Sequence, residues 1–143
     1  MNTFQSMRIS ASGLSAERLR MDTISSNIAN ATTTRTENGD PYRRKVAIFE
    51  ESLKREVNKV SGESEIISQG VKASGVVEDK SPFKRVYNPK HPDADENGYV
   101  EMPNVNILNE MVDMMAATRA YEANVTAMNA TKNMYMKALQ IGR

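Results

Sequence analysis

The segment Val105–Ile141, VNILNEMVDMMAATRAYEANVTAMNATKNMYMKALQI, decides the fold. Ile107, Met114, Tyr121, Met128 and Tyr135 recur every seven residues, and Met111, Thr118, Val125, Lys132 and Leu139 form a matching second row. Such spacing lays side chains along one face of a helix. No Gly or Pro interrupts the run; Pro103 precedes it and Gly142 follows, where a helix takes its stop signals. Asn104 or Asn106 supplies the N-cap, because a short side-chain oxygen accepts an unpaired first-turn N–H. At about 1.5 Å per residue the helix would extend roughly 55 Å.

The opposite end of the chain repeats the pattern. Between Phe4 and Ala31 there is one Gly and no Pro, and Phe4, Met7, Ala11, Leu14, Met21, Ile24 and Ile28 alternate spacings of three and four, with Arg18 interrupting. Met7, Leu14, Met21 and Ile28 lie seven apart, while Glu17, Arg20, Asp22 and Asn27 take the other side. Gly13 lowers helix propensity locally by up to about 1 kcal/mol relative to Ala.

Residues 32–103 hold all five prolines and most of the glycines. Short β-like runs, Lys45–Phe49, Gly70–Val77 and Phe83–Tyr87, are separated by turn-rich stretches such as Thr36–Pro41 and Asn88–Gly98. The charged stretch 50–65 reads as an exposed helix or a loop. The expected architecture is α+β: an N-terminal assembly helix in 1–31, a small irregular β-rich middle in 32–103, and a C-terminal assembly helix in 104–143. The two helices are expected to form a coiled coil.

Composition narrows the function. Lys+Arg number 19 against 18 Asp+Glu, so no broad field favours nucleic acid or an anionic membrane surface. No run of about 18 apolar residues exists to span a bilayer. Met1–Ser12 lacks the basic and apolar regions of a cleavable signal peptide, which taken alone implies the cytoplasm. With no Cys, disulfides and thiolate sites are excluded.

Catalytic constellations are missing too. The single histidine, His91, sits in a turn between Lys90 and Pro92, with no GxSxG to present a serine. One His and no Cys cannot furnish a usual zinc set, and no GxxxxGK[ST] or GxGxxG offers a phosphate loop. Asp93-Ala-Asp-Glu-Asn-Gly98 matches the opening of a calcium loop, but its twelfth position is Asn104, behind Pro103. An acidic turn with Gly in the left-handed region explains the same residues. No cofactor or metal is expected. Asn30, Asn124 and Asn129 begin Asn-x-Thr triplets, but all fall in or beside expected helices. Arg43-Arg44-Lys45 reads as a solvated strand start, with Asp93–Glu96 as its candidate partner.

The stripes alone fit either an ordinary α+β domain or terminal helices completed by neighbouring subunits. The methionines at 111, 114, 115 and 128 tolerate imperfect partners and favour the second. A cytosolic coiled-coil adaptor or export chaperone is a further alternative.

Particular residues point further. Ser26-Asn27-Ile28-Ala29-Asn30, within Ser12–Ala31, resembles the N-terminal signature of flagellar rod and hook proteins. Thr118-Arg119-Ala120-Tyr121-Glu122-Ala123-Asn124 resembles the same proteins' closing helix. After the first motif many members continue Thr-Pro-Gly-Tyr; this chain has Ala31-Thr-Thr-Thr, with Pro41-Tyr42-Arg43-Arg44-Lys45 later. With His91–Val105 and the short length, the chain is similar to the flagellar basal-body rod protein family, and within it to the proximal rod proteins, with another flagellar axial rod subunit as the alternative.

That resemblance implies a structural subunit with no enzymatic activity, stacked helically into the rod and transmitting torque. It implies passage through the flagellar export apparatus without a cleaved signal, and residence in the basal body rather than the cytoplasm. Partners would be other rod proteins and further copies of the chain, with no nucleic acid and no membrane insertion. Met7, Leu14, Met21 and Ile28 would form the N-terminal seam. Met114, Tyr121, Val125, Met128, Tyr135 and Leu139 would form the C-terminal one. Asn27, Asn30, Arg119 and Glu122 would give polar contacts that set register.

Overall fold

A computed structural model of the protein describes residues 3–57 and 64–141. Its elements are α1 (Thr3–Ala29), β1 (Lys45–Val57), β2 (Ser64–Glu78), β3 (Lys84–Tyr87), β4 (Tyr99–Met102) and α2 (Ile107–Ile141). Two long helices with β1–β2 and β3–β4 as separate two-stranded sheets make an α+β fold.

The helix ends follow local chemistry. At the close of α1 the Ala31 N–H bonds to the Ile28 carbonyl at 3.2 Å, a tightened last turn that absorbs the final residues of the expected helix. Asn106, not Asn104, caps α2: its Oδ1 accepts from the N–H of Leu108 at 3.1 Å and of Asn109 at 3.5 Å. Asn104 is committed elsewhere, accepting from the Arg44 N–H at 2.7 Å and donating to the Asp79 carbonyl at 3.0 Å.

β1 and β2 are longer than their sequence signals, and β3 is one residue shorter. The charged stretch expected as helix or loop is strand through Val57, because pairing with β2 overrides weak local propensity. Positions 58–63 of that stretch, and the stop at Gly142, lie outside the described residues. β4 carried no strand signal beforehand. It forms by pairing antiparallel with β3, Lys84 opposite Met102 and Tyr87 opposite Tyr99, with Val100 turned into the core.

The chain divides into two compact units. The first gathers Met1–Leu19, Ile48–Gly75 and Ala117–Arg143. In it α1 and α2 run antiparallel, since Phe4 meets Tyr135 edge-on at 5.6 Å while Gly13 faces Asn124. A Cβ on Gly13 would stand 3.1 Å from Asn124 Nδ2, so the helix-weakening glycine admits the asparagine. Ala16 and Ala117 are the buried apolar residues of this unit among those described.

The second strand lies along α1 in the same unit. Gln5 Nε2 donates to the Ser68 carbonyl at 3.3 Å, and Arg8 Nη2 to Gln69 Oε1 at 2.9 Å. The Val71 N–H donates to Ser12 Oγ at 3.1 Å. Positions 5, 8 and 12 share one helical face, so a polar stripe receives an unpaired strand edge. Between these contacts Gly70 has φ +100°, and a Cβ there would collide with Ser12 Oγ and come within 3.2 Å of Ile9 Cα.

The second unit gathers Arg20–Ala47 and Val76–Ala116. Its buried apolar residues are Ile24, Ala31, Tyr42 and Val100, and Thr23, Asn27 and Glu110 are buried with them. Tyr87 and Tyr99 stack edge-on at 5.3 Å across the β3–β4 pair, beside an Arg85–Glu101 ion pair of 3.2 Å.

Candidate functional site

Two features of the helices carry the functional argument: what they turn inward and what they leave outside. On α2 the innermost line passes through Glu110 and Ala117, both 0% exposed, and then the half-buried Asn124 and Thr131. Met114, Tyr121, Val125 and Met128 lie half-buried on its flanks. On α1 the buried positions are Ala16, Thr23, Ile24 and Asn27, and Met7, Leu14, Met21 and Ile28 are half-buried beside them. In each unit small or polar residues thus take the buried helix positions, Ile24 excepted, and the large apolar rows are only half-buried.

The outward face of α2 is apolar as well. Leu108, Met111, Val112 and Met115 recur at i, i+3, i+4 and i+7, with Leu108 74% exposed. In the other unit Met134, Met136, Leu139 and Ile141 are exposed at the carboxyl end of α2, Ile141 at 85%, and Phe4 is exposed on α1. Such clusters on one element mark interaction surfaces. Among the described residues no helix is long and apolar enough to cross a membrane.

The polar centre is built around Arg44, at the entrance to β1. Its Nε lies 2.6 Å from Glu110 Oε1, Nη2 3.5 Å from Asp113 Oδ2, and Nη1 3.9 Å from Asp79 Oδ2. Glu110 Oε2 accepts from Asn27 Nδ2 at 3.0 Å. Asp79 is held below the ordinary carboxylate value, first by the Ser81 hydroxyl and then by the Ser81 N–H. Burial raises it, while the Arg44 and Arg43 charges lower it further. Arg43 itself donates to the Asp79 and Ser81 carbonyls and sits 4.2 Å from the centre of the Phe83 ring. The expected solvated basic cluster is therefore an organised one, and its acids are Glu110, Asp113 and Asp79. Asp93 instead accepts from Thr34 at 2.7 Å and pairs with Arg35 at 3.9 Å.

The acidic turn is a turn. Asp95 Oδ1 accepts from the N–H groups of Asn97 at 2.9 Å and Tyr99 at 2.8 Å, and Gly98 takes φ +79°. His91 Nδ1 accepts from the Asp93 N–H at 3.1 Å. Asn30 closes α1 locally, donating to the Ser26 carbonyl at 2.9 Å and accepting from Thr33 Oγ1 at 3.2 Å. Arg119 and Glu122 form an exposed pair at 3.8 Å on α2. Asn27 is buried within the second unit, away from any surface.

Two family models match: flagella basal body rod protein over residues 7–35, and flagellar basal body rod FlgEFG protein C-terminal over residues 96–141. The chain is 51% identical over 150 residues to the flagellar basal-body rod protein FlgC of Bacillus subtilis (strain 168), covering 100% of both. The chain belongs to the flagellar basal-body rod protein family. Other members include the FlgC proteins of Borreliella burgdorferi, 46% identical over 99% of this chain and 98% of that one. For the FlgC of Salmonella typhimurium the identity is 40% over 94% of each. The two rod-family matches cover most of α1 and, with β4, all of α2, which carry Asn27 and Glu110 of the polar centre and the outward apolar residues.

Glu110, Tyr42, Arg44 and Asp79 were not among the expected site residues. An acid in the first turn of a helix ordinarily favours the positive end of the helix dipole from the surface, so nothing in one sequence marks Glu110 as buried.

Proposed function

We propose that this rod-family chain polymerises through the outward faces of its terminal helices into the proximal rod, where it transmits torque. As a family member it is a structural subunit of the flagellar basal-body rod. The observation that carries the assembly reading is the apolar line Leu108, Met111, Val112, Met115, left in solvent by a helix whose other face is already occupied. A neighbour that covers it removes apolar surface at about 25 cal/mol per Å². Met7, Leu14, Met21, Ile28, Met114, Tyr121, Val125 and Met128 form the margins against which neighbours complete a coiled coil. Tyr135 and Leu139 extend that seam, and Asn30, Arg119 and Glu122 add polar contacts.

In this reading the chain catalyses nothing and needs no cofactor. Its partners are other rod proteins and its own copies, reached through the flagellar export apparatus without a cleaved signal. It neither enters a membrane nor binds nucleic acid. Electron microscopy of purified basal bodies tests the assignment: density for this chain in the rod is expected. Recovery of the chain only from the cytosol would favour an adaptor or chaperone and defeat the proposal.

A further inference from the structure

Asn27 is 1% exposed and uses every hydrogen-bonding position its side chain has. Oδ1 accepts from the Lys45 N–H at 2.8 Å and from the Tyr42 hydroxyl at 3.0 Å. Nδ2 donates to the Lys45 carbonyl at 2.8 Å and to Glu110 Oε2 at 3.0 Å. Two of these partners are the N–H and C=O of one residue, the first of β1. A carboxamide presents donor and acceptor side by side as a peptide group does, so α1 offers Lys45 the pairing that a neighbouring strand would give.

The remaining two partners fix the orientation of the amide. A hydroxyl donor stands on the oxygen side and a carboxylate acceptor on the nitrogen side. Asp at this position would set a carboxylate against Glu110 and the Lys45 carbonyl. Leu would leave the Lys45 N–H and C=O unpaired. Gln carries the same groups one methylene too far into a closed site.

We infer that Asn27 is a positioning residue that fixes the register of the second unit, fastening α1 to the first residue of β1 and to the first turn of α2 through one carboxamide. The signature segment Ser26–Asn30 then serves the fit of the subunit to itself. This role is independent of how subunits associate. It differs from a packing role because it depends on which atom donates.

The test is urea unfolding of the full chain, with the variants Asn27→Leu, Asn27→Asp and Asn27→Asp with Glu110→Gln. At about pH 7 both single variants raise the unfolding constant by at least about tenfold, as unmet buried polar groups do. The groups facing Asn27 are Glu110 from α2 and Tyr42 and Lys45 from the approach to β1, with Arg44 reached through Glu110, and Asp79 and Asp113 through Arg44. In Asn27→Asp two neighbouring carboxylates favour holding one proton between them, which raises proton affinity in the folded state above the unfolded value. A raised folded value gives stability present at low pH and lost as pH rises through it. The deficit of Asn27→Asp therefore shrinks at about pH 5, and that of Asn27→Leu does not.

Glu110→Gln supplies a donor toward the carboxylate that Asn27→Asp introduces, while keeping an acceptor toward Arg44. The double variant regains part of the lost stability at about pH 7, the Lys45 carbonyl still facing a carboxylate, and loses the pH dependence. A double variant no more stable than Asn27→Asp overturns the inference, whether or not the single variants fold. So does an Asn27→Asp deficit that is the same at both pH values.

Discussion

Arg44 Nε stands 2.6 Å from Glu110 Oε1, joining a side chain 27% exposed to a carboxylate 1% exposed. The guanidinium reaches water and the acid does not. Removing the cation alone therefore strands a desolvated charge. Arg44→Met is expected to cost about 2–4 kcal/mol by urea unfolding, the range for breaking a buried pair discounted for the exposure of Arg44. A cost under about 0.5 kcal/mol would show that Asn27 alone suffices for Glu110.

Asp79 gives the chain an acid-sensitive joint. Its carboxyl is held below the ordinary value of 3.8, chiefly by Ser81, so the folded state binds its proton less readily than the unfolded chain does. That stabilisation is complete above the unfolded value and disappears as pH falls through the lower folded one. Asp79→Asn should thus be less stable than the parent at neutral pH, with the difference closing below about pH 3.8. Urea midpoints measured against pH would show the convergence.

Gly70 crosses α1 where no side chain fits. Gly70→Ala combines a left-handed backbone, φ +100°, with a methyl driven at Ser12 Oγ and Ile9 Cα. A loss of about 1–3 kcal/mol is expected. Adding Ser12→Ala should recover only part of it, since the backbone of Ile9 remains. Gly39 is a control: it has φ +91° but nothing within 4 Å, so Gly39→Ala meets backbone strain alone, about 1–2 kcal/mol.

Outward and inward positions of α2 should separate assembly from folding. Met111→Glu and Met115→Glu change exposed residues and are expected to leave the unfolding free energy of the isolated chain within about 0.5 kcal/mol of the parent's. Both should abolish incorporation into rods, read by motility and by basal-body composition. Ala117→Glu, at a fully buried position, should instead unfold the chain. Normal rods containing Met115→Glu would remove the outward stripe from the assembly model.

The helices were legible because their signal is local. Period and flanking Pro and Asn place α1 and the start of α2 to within a few residues. Strand ends were not, since β1 reaches Val57 by pairing with β2 and β4 exists only opposite β3. The polar centre was least legible. Apolar rows such as Met7, Leu14, Met21 and Ile28 suggest the inner face. The buried helix positions of the first unit are instead the small residues Ala16 and Ala117, with Gly13 set against Asn124, and hydrophobic periodicity undervalues such residues. Asn27, set on the polar side of that pattern and expected to face a neighbouring subunit, lies inside its own. Burial of a polar group depends on partners far along the chain, here Lys45 and Glu110, and no local pattern encodes them.

Every position from Lys132 to Ile141 is exposed. Among the described residues the Phe4–Tyr135 ring contact ties those last turns to α1, and helical hydrogen bonds by themselves hold a segment this short poorly in water. Their order is therefore a gauge of occupancy: amide protection at the carboxyl end should be slight in a lone subunit and rise only when a neighbour arrives.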